Sequence, residues 1–307
     1  MESEHQTVLR EEAVEALMAS QASTQPRVYV DGTFGRGGHS AAIIGRLVSG
    51  DRLVAFDKDP DAADTAQLMS SSHDCFTFIR DSFANLDRAG TELAGVLLDL
   101  GVSSPQIDDP ARGFSFQHDG PLDMRMDNTR GETAADFVNT APEGEIVRVL
   151  RDYGEERFAR RIATALVERR RQSAFESTGD LAAVVAKANP AWEKHKHPAT
   201  RAFQALRIEV NRELADLEAL LSKVIELLAI GGRLVVISFH SLEDRLVKRF
   251  INRESRGATV PRGVPIRDQE RGQRLRKIGK AQRASDQEVR HNPRARSAIM
   301  RVAERVA

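Results

Sequence analysis

The chain has 307 residues, 41% of them hydrophobic, and a formal net charge of zero, which allows one large or two ordinary domains with a real core. Its single cysteine, Cys75, excludes an intrachain disulfide, and eight scattered histidines supply no zinc-type spacing. No apolar run reaches bilayer-spanning length and Met1–His5 lacks a signal-peptide core, so a cytoplasmic protein that uses no membrane is expected.

The neutrality hides an asymmetry. Residues 1–110 carry 18 acidic and 8 basic side chains, a net of −10. Residues 245–305 carry 18 basic and 6 acidic ones, a net of +12. Such a segment suits a polyanionic partner, or a solvated tail that offsets the acidic half. Charge alone does not choose between the two.

In chain order, residues 5–19 predict a helix with Val8, Leu9, Val14 and Leu17 on one face. The β-branched run Val28–Asp31 follows, then the glycine-dense stretch Gly32–Gly38, then a helix through Ala41, Ile43, Ile44 and Leu47. Glycines let backbone approach a ligand closely, and a helix start offers unpaired N–H groups. The next strand, Arg52–Asp57, ends in an acid about 20 residues past the glycines, where a ribose hydroxyl is held in Rossmann-like sheets. Gly35-Arg36-Gly37-Gly38-His39-Ser40 lacks the last glycine of the pyrophosphate fingerprint. With Asp31 ending the first strand, the pattern favours S-adenosylmethionine, which carries an ammonium and no phosphate.

A helix from Pro60 leads to a third strand, Phe76–Ile79, and then to Asp81 and Phe83. Phe83 is either an adenine contact or a core residue against Leu86. The fourth strand, Ala94–Asp99, runs into Leu100-Gly101-Val102-Ser103-Ser104-Pro105-Gln106. Asp31, Asp57, Asp81 and Asp99 thus end strands on one edge, where parallel α/β sheets bind ligands.

After Gln106 the pattern becomes helical: Thr133–Asn139, Glu143–Tyr153, Glu156–Arg171 and Thr178–Ala188. Trp192-Glu193-Lys194-His195-Lys196-His197-Pro198 reads as a basic aromatic loop, suited to a nucleic-acid backbone and base, or as a surface loop anchored by its Trp. A long helical pattern over 200–228, as one helix or two, is expected to stop at Ile230-Gly231-Gly232, before a strand over Arg233–Ser238. His240 is either a substrate contact or a structural polar residue, and Ser241 with Asp244 reads as an N-cap pair. Residues 253–296 read as a long loop or tail, with Arg262, Arg267, Arg271, Arg274, Arg276 and Lys277 as candidate phosphate contacts. Ala298–Val302 reads as a last edge strand.

The expected architecture is α/β: a Rossmann-like sheet over 1–108 and 211–307, with an inserted helical domain over 109–210; the resemblance that follows implies that the sheet is of the class I S-adenosylmethionine-dependent methyltransferase kind. Several long motifs then resemble one family. They are Asp31–Ser40, Leu97–Gln106, Arg112–Phe116, Gly120–Met126, Tyr153–Phe158, His197–Arg201, Ser238–Asp244 and Asn292–Ser297. The chain resembles the bacterial small-subunit ribosomal RNA cytosine-N4 methyltransferases of the RsmH (MraW) type over nearly its whole length.

The resemblance implies S-adenosyl-L-methionine as cofactor and 16S rRNA, within the small ribosomal subunit, as partner; its target is one cytosine of the decoding region. It implies cofactor contacts at Gly37, Gly38, His39, Asp57, Phe83, Asp99 and Gln106, and a helical insertion that helps hold RNA. N4 methylation needs acceptors where the amine becomes tetrahedral, and Asp99, Ser103 and Ser104 are the candidates. Carbon methylation would call for a cysteine nucleophile, and Cys75 precedes the third strand, away from that edge. A DNA amino-methyltransferase and an RNA-binding assembly factor with a vestigial cofactor site stay open as alternatives, as does the choice between monomer and homodimer.

Overall fold

A computed structural model describes residues 7–191, 197–257 and 272–307. The chain divides into two compact units, one of residues 1–101 with 214–307 and one of residues 102–213.

The first unit is built on seven strands: β1 (Val28–Asp31), β2 (Arg52–Asp57), β3 (Phe76–Arg80), β4 (Leu93–Asp99), β5 (Leu228–Ser238), β6 (Leu275–Arg283) and β7 (Ile299–Arg305). Their order is β3-β2-β1-β4-β5-β7-β6. β1 to β5 pair in parallel, β7 runs antiparallel to β5, and β6 runs antiparallel to β7. β4 is apolar on both faces because both are covered, as parallel sheets require. One face packs on α1 (Arg10–Met18), α2 (Gly38–Ile44) and α3 (Ala62–Ser72), through Leu17, Ile43 and Ala66. The other packs on α10 (Glu213–Leu227) and α11 (Ser241–Arg256), through Leu221, Val224, Val247 and Phe250. This is the doubly wound α/β sheet expected of the class I methyltransferases.

The long helical pattern divides into two helices at Arg212, which adopts a left-handed φ of 54°. Three expectations change here. The glycines Gly231 and Gly232 lie inside β5 rather than ahead of it. A Cβ at Gly231 would meet the Gln21 backbone at 2.6 Å, so the glycine serves a close chain approach, not a helix stop. Residues 253–296 are not a continuous loop: α11 runs to Arg256, β6 occupies Leu275–Arg283, and α12 covers Asp286–His291. β6 escaped notice because only Leu275 of its nine residues is buried. β7 accordingly lies between β5 and β6 and is not an edge. Arg262, Arg267, Arg271 and the Trp192–Lys196 part of the aromatic loop lie outside the described residues.

The second unit is helical: α4 (Ser104–Asp108), α5 (Ala134–Thr140), α6 (Glu143–Asp152), α7 (Ala159–Arg170), α8 (Thr178–Ala188) and α9 (Thr200–Asn211). It has its own core, in which Ile146, Leu150, Ile162, Leu166, Leu181 and Leu206 are fully buried. Asn211 fastens the loop before α5. Its Nδ2 donates to the Met124 carbonyl at 2.7 Å, and its Oδ1 accepts from the Met126 N–H at 2.7 Å. Met124 itself has a left-handed φ of 63°. Among the described residues no helix is long and apolar enough to cross a membrane.

Candidate active site

The carboxyl ends of β1, β2 and β4 put Asp31, Asp57 and Asp99 on one edge of the first unit. The chain leaving β1 is stitched between its neighbours. Gly32 N–H donates to the Leu97 carbonyl and Phe34 N–H to the Phe56 carbonyl, each at 2.8 Å. Thr33 Oγ1 accepts from the Asp99 N–H at 2.6 Å. The loop therefore starts in a fixed place over the β1–β4 boundary.

The three acids play different parts. Asp31 is fully buried. Its Oδ2 accepts from Ser40 Oγ at 2.7 Å and its Oδ1 from the Thr33 N–H at 3.1 Å, so it closes the loop onto α2. Burial pushes its pKa up to about 6, against these hydrogen bonds. Asp57 Oδ2 accepts from the Gly35 N–H at 2.7 Å and Oδ1 from the Asp59 N–H at 2.9 Å. Burial raises its pKa too, opposed by those N–H donors.

Asp99 differs. Its Oδ1 is buried and has no hydrogen-bond partner among the described residues. Burial, with the charges of Asp31 and Glu243 added, pushes its pKa well above the ordinary aspartate value. His39, almost fully buried, brings Nδ1 to 3.8 Å from Asp99 Oδ2. An unpaired buried acceptor of this kind is costly unless something fills it.

The glycines have separate reasons. Gly37, at a φ of 79°, turns the chain into α2. A Cβ on Gly38 would fall 1.8 Å from Thr7 Oγ1, so the glycine admits the close approach of Thr7. Phe83 stands beside Gly32, where a Cβ would meet its own at 3.2 Å, and also packs on the cluster that contains Leu86. The packing against the Leu86 cluster fits the core reading of Phe83. Asp81 is tied to Arg88 at 2.6 Å and to Asn85 at 3.0 Å, which takes it out of the acid set.

Ser103, Ser104 and Gln106 belong to the second unit, at the start of α4. Gln106 is buried, and its Oε1 accepts from the Ser103 N–H at 2.8 Å, the reciprocal half of a capping box. That structural use of Gln106 was signalled by Ser-x-x-Gln and was missed. At α11 the cap is His240, not Ser241. Glu243 Oε2 accepts from the Phe239 N–H at 2.9 Å and the His240 N–H at 3.3 Å. Asp244 instead pairs with Arg301 at 2.6 and 3.0 Å. Cys75 sits before β3, at the opposite end of the strands from the acids.

The sequence model of the MraW methylase family matches residues 2–306. Among solved structures, the chain is similar to an rRNA methylase from Streptococcus thermophilus, at 12% identity and a TM-score of 0.42 over 98% of each chain. A methyltransferase candidate from Streptococcus mutans, crystallised with S-adenosylhomocysteine, is 12% identical with a TM-score of 0.42, over 96% of this chain and 97% of that one. An N-methyltransferase from Bradyrhizobium japonicum is 8% identical with a TM-score of 0.41, over 97% of this chain and 96% of that one.

Proposed function

The chain belongs to the MraW methylase family, and from that premise we propose that it methylates N4 of one cytosine in the decoding region of 16S rRNA. S-adenosyl-L-methionine is the methyl donor. The observation that carries the reading is the unpartnered, buried Oδ1 of Asp99, set on the same sheet edge as Asp31 and Asp57.

The residues present fit the donor. A group bearing an ammonium and a sulfonium suits an edge lined by three acids, the buried Asp31 and the half-buried Asp57 and Asp99. When bound, the donor supplies an electrophilic methyl group. Asp57 would hold the ribose while it keeps the Gly35 loop in place. Phe83 would cover the base, beside Gly32. Burial and the neighbouring acids raise the pKa of Asp99, and positive charge nearby lowers it again.

As a carboxylate, Asp99 has an acceptor to offer. The cytosine amine is a weak nucleophile because its lone pair is delocalised into the ring. An acceptor that draws on its N–H groups favours the tetrahedral nitrogen of the transition state over the planar ground state. No strong base is needed, since the methylated nitrogen is acidic while cationic and gives up its proton afterwards. Ser103 and Ser104 are further candidates for the same acceptor role. Residues 109–210 are proposed to help hold the RNA.

The test incubates the protein and methyl-labelled donor with small ribosomal subunits, then maps the label by RNA mass spectrometry. A label on cytosine N4 in the decoding region supports the assignment. A label on carbon, on another RNA, or on DNA alone replaces it.

A further inference from the structure

The basic C-terminal third is sorted by the fold into cations already used and cations still available. Arg274 pairs with Glu254 at 3.0 Å and with Glu226 at 2.8 Å. Arg276 pairs with Glu304, and Lys277 donates to Asn252 of α11. Arg301 is held by Asp244. These four serve the fold, which removes Arg274, Arg276 and Lys277 as the strongest phosphate candidates.

Five other cations are exposed and have no partner within the described residues: Lys248, Arg249 and Arg256 on α11, and Lys280 and Arg283 on β6. The acids of α11 leave nothing to neutralise them. Glu243 turns inward to His240, Asp244 is spent on Arg301, and Glu254 on Arg253 and Arg274.

The two elements lie side by side. Lys277 reaches Asn252, so α11 covers the outer strand. Arg283 pairs in register with Ile299, which shares a face of β7 with Arg301, the partner of Asp244 on α11. Arg283 therefore faces α11. Gly279, at a φ of 67°, marks the register shift between Ile278 and Gln282, from which Lys280 projects at the free edge.

We propose that the free edge of β6 and the exposed face of α11 form a cationic track for the backbone of single-stranded RNA. The track deepens the rRNA reading above and rests on it. Its upper end lies on the same edge of the sheet as the proposed active site. Arg283 pairs with Ile299, and Ile299 with Ser238 at the end of β5, the strand beside β4 and Asp99. Three strand spacings separate β6 from β4, about 14 Å. Downward, the α11 cations run from Lys248 to Arg256, which extends the track for about 12 Å. At about 3.4 Å of rise per stacked nucleotide, that length accommodates about three to four. The track lies wholly in the sheet unit.

The experiment measures binding of a small-subunit rRNA transcript to the full chain across salt concentrations, for the parent and for Lys248→Ala/Arg249→Ala/Lys280→Ala/Arg283→Ala. The parent is expected to lose affinity steeply with salt. The variant should show a slope shallower by about 3, from four lost single-strand phosphate contacts. Its affinity for S-adenosylhomocysteine and its unfolding midpoint should stay at parent values. Arg10→Ala/Arg52→Ala, which removes exposed charge elsewhere on the unit, should leave the slope alone. A parental slope in the quadruple variant overturns the track and leaves these charges the task of keeping an edge strand from pairing with another sheet. Equal flattening by the control pair also overturns it, in favour of general charge. A parent that binds S-adenosylhomocysteine but no RNA removes the rRNA reading, and the track with it.

Discussion

Nδ1 of His39 stands 3.8 Å from Oδ2 of Asp99, while the other oxygen of that carboxyl has no partner. The pair joins the start of α2 to the end of β4, and it gives the strongest handle on the chemistry. Asp99 with a raised pKa is neutral at low pH and ionises as pH rises. A cationic donor binds the ionised form better, so donor affinity should climb with pH until Asp99 is fully ionised. Asp99→Asn should flatten that profile. With donor and RNA saturating, it should also slow single-turnover methylation by about 10²-fold. Parental rates in both Asp99→Asn and Ser103→Ala would remove the acceptor role from these residues.

Asp31 predicts a pH dependence of stability. Its pKa is about 6 in the folded chain against 3.8 for an ordinary aspartate. The folded state thus holds the proton more tightly than the unfolded chain, and stability falls as pH rises from about 4 to about 6, then levels off. The cost at pH 7 is on the order of 3 kcal/mol. Asp31→Asn should therefore raise the urea midpoint at pH 7, have little effect near pH 4, and abolish the decline between them. A midpoint lowered equally at both pH values would show that the Ser40 and Thr33 hydrogen bonds outweigh the burial cost.

Asp57 has two duties, one to the loop and one to the proposed ribose contact. Calorimetry on Asp57→Ala should show S-adenosylhomocysteine binding weaker by about 10- to 150-fold, matching a charged hydrogen bond of about 1.5–3 kcal/mol. The sheet does not depend on it, so far-ultraviolet circular dichroism should be unchanged. Undiminished affinity would take Asp57 out of the site.

In the second unit, Asn211 satisfies the Met124 carbonyl and the Met126 N–H, and it is itself buried. Asn211→Ala leaves both groups unpaired at about 1–3 kcal/mol each. Denaturant unfolding should register a loss of about 2–5 kcal/mol. A loss below about 0.5 kcal/mol would mean that solvent reaches the loop.

How legible these features were depended on where side chains are buried. β1, β2 and β4 announced themselves because their apolar runs end in Asp31, Asp57 and Asp99. The helices from α5 to α8 announced themselves by apolar residues at helical spacing, such as Ile146, Val149 and Leu150. β6 did not, because an edge strand one residue deep in the core has no alternation to read. Nor did the division among the acids. Asp31 and Asp57 look alike in sequence, yet one ties the loop to Ser40 and the other to Gly35. Which cations are spent on Glu226, Glu254 and Glu304 depends on strand register, which no local pattern encodes.

The insertion between β4 and β5 sets an order of events during synthesis. Leu93 of β4 pairs with Leu228, 135 residues later. At about 5–20 residues per second, the ribosome needs roughly 7–27 s to make that stretch. The helical unit, contiguous and with its own core, can form within this interval. Chains arrested after residue 213, with the exit tunnel cleared by a linker, should resist protease over 102–213 and yield over 28–99. Until β5 arrives, β4 presents an apolar strand with one side unpaired, the kind of edge that recruits other chains. The most aggregation-prone moment in the life of this protein is thus a half-finished sheet, and its length is set by the size of the insertion.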